Sequence, residues 1–198
     1  MTRVQKDIRI IDAVKEQDSQ AVLRLIEECV DLNVQDPQGN TALMWAVHRN
    51  NLDIVHILIN VGADLDVPDY GQNTPLILAV WKGAEKVAQA LISAEADLNM
   101  RDGEGKSALT YAMDRGLEDM IYQLVSKGAD ISGLSQQHKV QYHSVLRDAR
   151  RYFLSKNFKI ESLLYPNRVS QQMQKVMQNR KENRNAPPPF SRRYRRPR

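Results

Sequence analysis

The sequence predicts an all-α fold: a solenoid of four helix-turn-helix repeats, closed by C-terminal capping helices and followed by a disordered basic tail. Two observations predict it. Residues recur every 33 positions along the first two thirds of the chain, and beyond them the composition becomes strongly basic. A unit of this length cannot bury a core alone and is stable only when stacked on its neighbours. With 198 residues, 42% of them apolar, the chain can hold one such domain and a tail.

The 33-residue period is clearest where a hydroxyl residue, a leucine and an alanine each return three times. The triplets are Thr41, Thr74 and Ser107; Leu43, Leu76 and Leu109; and Ala46, Ala79 and Ala112. Stepping back by 33 from the second unit reaches Ile10 and Ala13, which indicates a divergent first copy. The predicted repeats are therefore residues 1–33, 34–66, 67–99 and 100–132.

Each repeat is predicted to contain a polar turn, a short helix, a second turn and a second helix. The hydroxyl of Thr41 can cap the first helix by accepting from its free amides, and the small Ala46 lets neighbouring helices approach. Residues that tolerate positive φ follow the first helix, namely Asn50, Gly83 and Gly116. Gly62 and Gly128 end the second helix in two copies.

These residues resemble the ankyrin repeat, whose pattern opens with T-P-L-H-x-A and ends near G-A-D. Residues 74–79, Thr-Pro-Leu-Ile-Leu-Ala, are the closest match to the opening. The histidine of the pattern is replaced by Met44, Ile77 and Thr110, and only Thr110 could bond a neighbouring turn. The resemblance implies a non-enzymatic adaptor or scaffold that binds a protein partner through a concave face.

The resemblance places that face on the turn tips, such as Asn40, and on the exposed positions of the first helix. The candidate partner-binding residues are His48, Arg49, Tyr70, Trp81, Lys82, Asp114 and Arg115. Trp81 and Tyr70 rank first because exposed aromatic residues concentrate binding energy at interfaces. The alternative is that Trp81 lies against the neighbouring repeat and only stabilises the stack. Trp45 is expected in a partly buried layer between repeats.

Groups that could support catalysis are few, and we expect no catalytic residue, no metal site and no cofactor. Cys29 occupies a helix-ending position and is interpreted as structural. His138 and His143 are five residues apart, which does not place them on one helical face as a metal pair. Residues 103–107, Gly-Glu-Gly-Lys-Ser, have the wrong spacing for a phosphate loop and are read as the fourth turn.

The chain divides into an acidic body and a basic C-terminal third. Residues 1–134 carry 12 Lys and Arg against 21 Asp and Glu, a net charge of −9, and residues 135–198 carry 16 against 3, a net charge of +13. Residues 133–182 are predicted to form a degenerate fifth unit and a helical extension, with Tyr142 at the position of Leu43. A helix over 169–182 would pack on this cap or dock a partner.

Residues 183–198 form the predicted disordered tail, whose arginines include Arg192, Arg193, Arg195, Arg196 and Arg198. This tail could bind nucleic acid, an acidic protein or acidic lipids, direct nuclear import, or remain solvated. It could also fold back over the acidic body and mask the concave face. We expect a monomer without a transmembrane segment, located in the cytoplasm or the nucleus, or in a host cytosol if it is a secreted effector.

Overall fold

The computed structural model describes residues 3–140 and residue 142, with side chains from residue 7 onward. Within this range eight helices form four pairs, and no strand is present. The pairs are α1 (Arg3–Lys15) with α2 (Ser19–Glu27), α3 (Ala42–His48) with α4 (Leu52–Asn60), α5 (Pro75–Lys82) with α6 (Glu85–Ser93), and α7 (Ala108–Asp114) with α8 (Glu118–Ser126). The predicted all-α solenoid is confirmed over these residues.

The helices stack in two layers. The first helices α1, α3, α5 and α7 contact one another in that order, and so do the second helices α2, α4, α6 and α8. The alanines that recur in the first helices, Ala46, Ala79 and Ala112, are fully buried. Because a methyl group takes little space, one first helix can lie close to the next, and the larger Leu43, Leu76 and Leu109 fill the core beside them.

The first helices are capped as the sequence predicts. The Oγ1 atom of Thr41 accepts from the amide of Met44 at 3.2 Å, and Thr74 and Ser107 cap α5 and α7 in the same way. The expectation for Thr110 is wrong. Its hydroxyl lies 3.3 Å from Ser107 Oγ, inside its own repeat, because the cap residue three positions earlier is within closer reach than a neighbouring turn.

The left-handed positions recur with the period. Asn50, Gly83 and Gly116 follow the first helices with φ values of +52°, +74° and +66°. The second helices end at Gly62 and Gly128 in two copies, and at Cys29 and Glu95 with φ values of +56° and +66° in the others. The last two residues therefore adopt a conformation that side chains with a Cβ disfavour.

The solenoid continues past its fourth pair. Leu134 is buried, residues 136–140 are helical, and Tyr142 is only 6% exposed. Tyr142 is thus buried, as is Leu43, whose position in the repeat it was predicted to take. The remainder of the predicted fifth unit, the helix over 169–182 and the basic tail lie outside the described residues.

Candidate partner-binding surface

The turns before α3, α5 and α7 are each built on an aspartate. The Oδ1 atom of Asp36 accepts from the amides of Gln38 and Asn40, and its Oδ2 accepts from the indole Nε1 of Trp45 at 2.8 Å. Burial alone would raise the pKa of Asp36, but these hydrogen bonds and the nearby Lys15 ammonium lower it below its usual range. The turn is therefore fixed by an ionised carboxylate.

The turn of the fourth repeat is organised by an aspartate in the same way. Asp102 accepts from the amides of Glu104 and Lys106 and from the hydroxyl of Tyr111 at 2.5 Å. Burial would raise the pKa of Asp102, yet the hydroxyl and the two amides outweigh it and lower that pKa. Burial and the neighbouring carboxylate raise the pKa of Tyr111, so its hydroxyl keeps its proton. As predicted, residues 103–107 form the fourth turn.

The third repeat departs from this device because Leu78, at the position of Trp45, has no donor. Asp69 instead accepts twice from the side-chain amide of Asn73, at 3.0 Å to each oxygen. The glycine of this turn is shifted to Gly71, so Gln72 takes the left-handed conformation with φ of +63°. The turn that precedes Trp81 is thus held by a different set of side chains.

Neighbouring turns are joined to one another. The amide of Gly103 donates to the carbonyl of Gly71 at 2.8 Å, and the side-chain amide of Gln35 donates to the carbonyl of Pro68 at 2.8 Å. A Cβ atom on Gly39 would come within 2.9 Å of Tyr70 Cδ1, which shows how closely that ring approaches the preceding turn. Tyr70 is nevertheless 72% exposed. Its ring is therefore positioned by the second turn and open to a partner.

A row of side chains crosses the ends of the first helices, one from each repeat at intervals of 33. The row is Lys15, His48, Trp81 and Asp114, and the next residue in the last three repeats is Arg49, Lys82 or Arg115. We call these seven residues the Trp81 face. Trp81 is 50% exposed, and its indole makes no hydrogen bond within the described part of the chain. In the alternative, Trp81 would be covered by the neighbouring repeat and would only stabilise the stack. Half of the surface of Trp81 is not covered.

Charges from adjacent repeats meet at the Trp81 face. The guanidinium of Arg115 reaches back one repeat and donates to the carbonyl of Trp81 at 2.6 Å. The Nζ atom of Lys82 lies 5.8 Å from the centre of the Trp81 ring. Burial lowers the pKa of His48, and the positive charge of Lys82 lowers it further. His48 is therefore neutral at pH 7, and Lys82 acts across the boundary between repeats.

An ionic cluster borders the Trp81 face in the fourth repeat. Asp114 forms an ion pair with Lys106 at 3.6 Å and lies 2.9 Å from the Nε2 atom of His138. His138 belongs to the predicted fifth unit, so this contact ties that unit to α7. The spacing of His138 and His143 spoke only against a metal pair, and nothing in the sequence pattern indicated the contact of His138 with Asp114.

The structure places some of the predicted surface residues in one row and buries another. His48, Trp81 and Asp114 stand in one row, whereas Asn40, expected at a turn tip, is only 9% exposed because the buried carboxylate of Asp36 holds its backbone. Lys15 was missed, although subtracting 33 from His48 would have found it. The arginines of the tail lie outside the described residues.

The family comparison agrees with the geometry of the helix pairs. A family model described as ankyrin repeats, in three copies, matches residues 10–102. Residues 10–102 are ankyrin repeats. A search of curated proteins finds no match to it. No helix within residues 3–140 is long and apolar enough to cross a membrane.

The family match ends before the fourth helix pair, which follows the same plan. Helices α7 and α8 stack on α5 and α6, and Ser107 caps α7 as Thr74 caps α5. The ankyrin repeats of this chain also bury Met44 and Ile77 where the pattern has histidine. Both side chains join the core, so apolar packing replaces the polar link at those positions.

Proposed function

We propose that the protein is an adaptor or scaffold that binds a protein partner through the Trp81 face, without catalysis. Ankyrin repeats are in general protein–protein interaction modules and are typically non-enzymatic. The observation that carries the proposal is the exposure of Trp81 in the middle of the stack. The other large aromatic residues of the first helices, Trp45 and Tyr111, are half-buried and bonded to the turn aspartates, but Trp81 is not.

A comparison within the chain supports this assignment. Core positions keep their residue type through the repeats, as Leu43, Leu76 and Leu109 do. The row of the Trp81 face holds four different residue types at the same interval, so stacking does not dictate them. A residue type that the fold does not require, placed on the surface, is more readily explained by contact with another molecule.

The proposal is tested by removing the indole. Trp81→Ala should weaken binding of the captured partner by about 2 kcal/mol, roughly 30-fold, as expected for an aromatic hot spot. The measurement is quantitative capture of partners from cell extract on the full-length protein, followed by titration of the recovered partner. Leu23→Ala is the control, because Leu23 is 39% exposed but belongs to the second-helix layer.

The two variants give opposite expectations. Leu23→Ala should capture the same partner as the parent protein with unchanged affinity, and both variants should still unfold in one cooperative transition, which shows that they are folded. If Trp81→Ala keeps the parent affinity while remaining folded, the Trp81 face does not bind the partner and the proposal fails.

A second candidate function rests on the charge of the C-terminal third. Six arginines and no acidic residue occur within residues 184–198. Such a segment can bind nucleic acid phosphates, and the repeats would then position the tail. Affinity for single-stranded RNA should fall at least about tenfold between 50 and 200 mM salt, and deletion of 184–198 should abolish it. Salt-independent binding would eliminate this function, and nuclear import of a reporter carrying 184–198 would support a targeting role instead.

A further inference from the structure

We propose that the partner segment bound at the Trp81 face is an acidic peptide that carries an apolar or aromatic side chain. This inference rests on the proposed function and adds the chemistry of the partner. It follows from three unpaired cations around an exposed indole, in a part of the molecule that is otherwise negative.

The sign of the charge at this face opposes that of the surrounding repeats. Residues 34–99 contain eight Asp and Glu but only three Lys and Arg. Two of those three cations, Arg49 and Lys82, lie on the Trp81 face, and Arg115 joins them from the fourth repeat. The face is therefore a basic strip within an acidic body.

None of these three cations forms an ion pair within the described residues, although Arg115 donates to the carbonyl of Trp81. In that part of the chain, Arg49, Lys82 and Arg115 have no carboxylate within 4.0 Å. Arg24, Lys86 and Lys127 in the second-helix layer and at its end also lack one, but none of them lies beside an exposed indole. Lys15 pairs with Asp36, and Arg101 pairs with Asp130. Arginine side chains bind carboxylates in a planar, two-pronged geometry, so Arg49 and Arg115 are suited to acidic side chains of a partner.

The indole supplies the apolar part of the site. Trp81 lies between Arg49 and Arg115 along the row, with the aliphatic stem of Lys82 next to it in sequence. An aromatic surface that is half exposed gains most when an apolar side chain covers it and excludes water from the flanking ion pairs. A partner segment with acidic residues on both sides of a leucine or phenylalanine would satisfy both requirements.

Other occupants fit less well. The chain's own tail carries the same sign of charge as Arg49, Lys82 and Arg115, so these cations repel it. A nucleic acid would bring a continuous line of phosphates against a body with a net charge of −9 over residues 1–134. A short acidic segment places only a few negative charges, all of them opposite the cations.

The experiment uses the full chain with Trp45→Phe, which leaves Trp81 as the sole tryptophan. The probe is an amidated peptide of about 12 residues, made of Glu and Asp around a central Leu-Phe pair and free of Trp and Tyr, a length that spans the row in an extended conformation. Binding is followed by the emission of Trp81. We expect saturable binding and a spectral shift as the indole is covered.

Charge reversal identifies the surface that binds. The affinity for the peptide should fall at least tenfold in a variant that combines Arg49→Glu, Lys82→Glu and Arg115→Glu. The matched control combines Arg24→Glu, Lys86→Glu and Lys127→Glu, which changes the net charge equally, in the second-helix layer and at the end of α8. The peptide affinity of this control should stay within twofold of that of the parent. Any binding of the peptide to the tail contributes equally to both variants.

Three results would overturn the inference. Equal weakening by the two charge-reversed variants would mean that only net charge matters. Tighter binding of a Lys-containing peptide of the same pattern would reverse the assigned chemistry. Binding of oligouridine that is lost only with the face variant would make the ligand a nucleic acid.

Failure of this inference differs from failure of the proposed function. If Trp81→Ala loses the captured partner while the face variant keeps it, the Trp81 face binds a partner that is not acidic. If Trp81→Ala keeps the partner, the proposed function and this inference fail together.

Discussion

At the scale of single residues, the turn aspartates show how one side chain organises a repeat. Asp36 is buried, ionised and surrounded by backbone amides, an indole and the ammonium of Lys15. Buried carboxylates are tolerated when hydrogen bonds replace the lost water. Trp45 and Tyr111 therefore serve the turns, while Trp81, whose turn aspartate is bonded by Asn73, is free of that role.

Replacing Trp45 with phenylalanine should destabilise the fold by about 1 kcal/mol, because Asp36 loses a buried donor. The loss of the donor raises the pKa of Asp36 towards its ordinary value of 3.8. A lowered folded-state pKa contributes stability that is present above the unfolded pKa and is lost as pH falls through the folded pKa. The difference in the free energy of unfolding between Trp45→Phe and the parent should thus be largest at pH 7 and shrink below about pH 4.

Urea unfolding at pH 7 and at pH 3 measures this effect. Trp81→Phe is the control, since it makes the same chemical change at a side chain without a hydrogen bond in the described structure, and should alter stability by less than about 0.5 kcal/mol. Equal losses in both variants would show that ring size, not the hydrogen bond to Asp36, matters.

Asp66 offers a substitution that should stabilise the protein. It accepts from the amide of Asp97, whereas Asn33 and Asn99 make the equivalent bond one repeat away with a neutral oxygen. Burial raises the pKa of Asp66, and the charges of Asp97 and Asp64 raise it further. Asp66→Asn keeps the acceptor and removes the repulsion, so we expect a gain of about 0.5 kcal/mol after solvent screening.

The pH dependence follows from the raised pKa of Asp66. The charge of Asp66 destabilises the parent protein, and this destabilisation disappears as Asp66 takes up a proton. The gain in unfolding free energy from Asp66→Asn should therefore be largest above the raised pKa and vanish below about pH 4. Chemical unfolding across this range tests it. The reciprocal change Asn99→Asp should destabilise the fold; a gain from Asn99→Asp would contradict the explanation.

At the scale of elements, the ends of the second helices share one backbone conformation but not one residue type. Glu95 ends α6 with φ of +66°, the region that glycine occupies after α4 and α8. Glu95→Gly removes the unfavourable Cβ contact, which costs about 1 kcal/mol, and we expect a net gain of about 0.5 kcal/mol once the greater freedom of glycine when unfolded is subtracted.

The reverse change tests the same cause. A Cβ atom on Gly62 would meet nothing within 4 Å, so Gly62→Glu adds conformational strain without a clash. It should lower the thermal midpoint of unfolding, while Glu95→Gly should raise it. A midpoint that falls for Glu95→Gly, or one that rises for Gly62→Glu, would contradict the backbone explanation.

At the scale of the whole molecule, positive and negative charges are separated at two levels: between the two parts of the chain, and within the body itself. The C-terminal third of the sequence is basic and the preceding body is acidic, and the body itself carries the basic strip of Arg49, Lys82 and Arg115. A tail that masked the Trp81 face would have to overcome these three cations.

Deletion of residues 184–198 should therefore leave affinity for the acidic probe peptide at the Trp81 face within about twofold, since like charges keep the tail away. The measurement is Trp81 emission in the Trp45→Phe protein with and without the deletion. A clear rise in affinity after deletion would show that the tail masks the face.

The sequence by itself determined the repeat architecture. The period places Leu43 and its counterparts in the core, Thr41 and its counterparts at caps and Asn50 in a left-handed turn, because neighbouring contacts within and between identical units follow from local sequence. The repeat boundaries at 33, 66 and 99 remain predictions of that period. The row of the Trp81 face was largely visible in the same way, although Lys15 was overlooked.

Only the tertiary structure decided which polar groups meet. The contact of His138 with Asp114, the reach of Arg115 to the Trp81 carbonyl and the unpaired state of Arg49 and Lys82 depend on side-chain positions across repeat boundaries. Periodicity fixes the helix on which a side chain lies, but its partners are set by the distances and charges of the folded stack. The same reason separates Trp45, bonded to Asp36, from Trp81, whose indole makes no hydrogen bond in the described part of the chain.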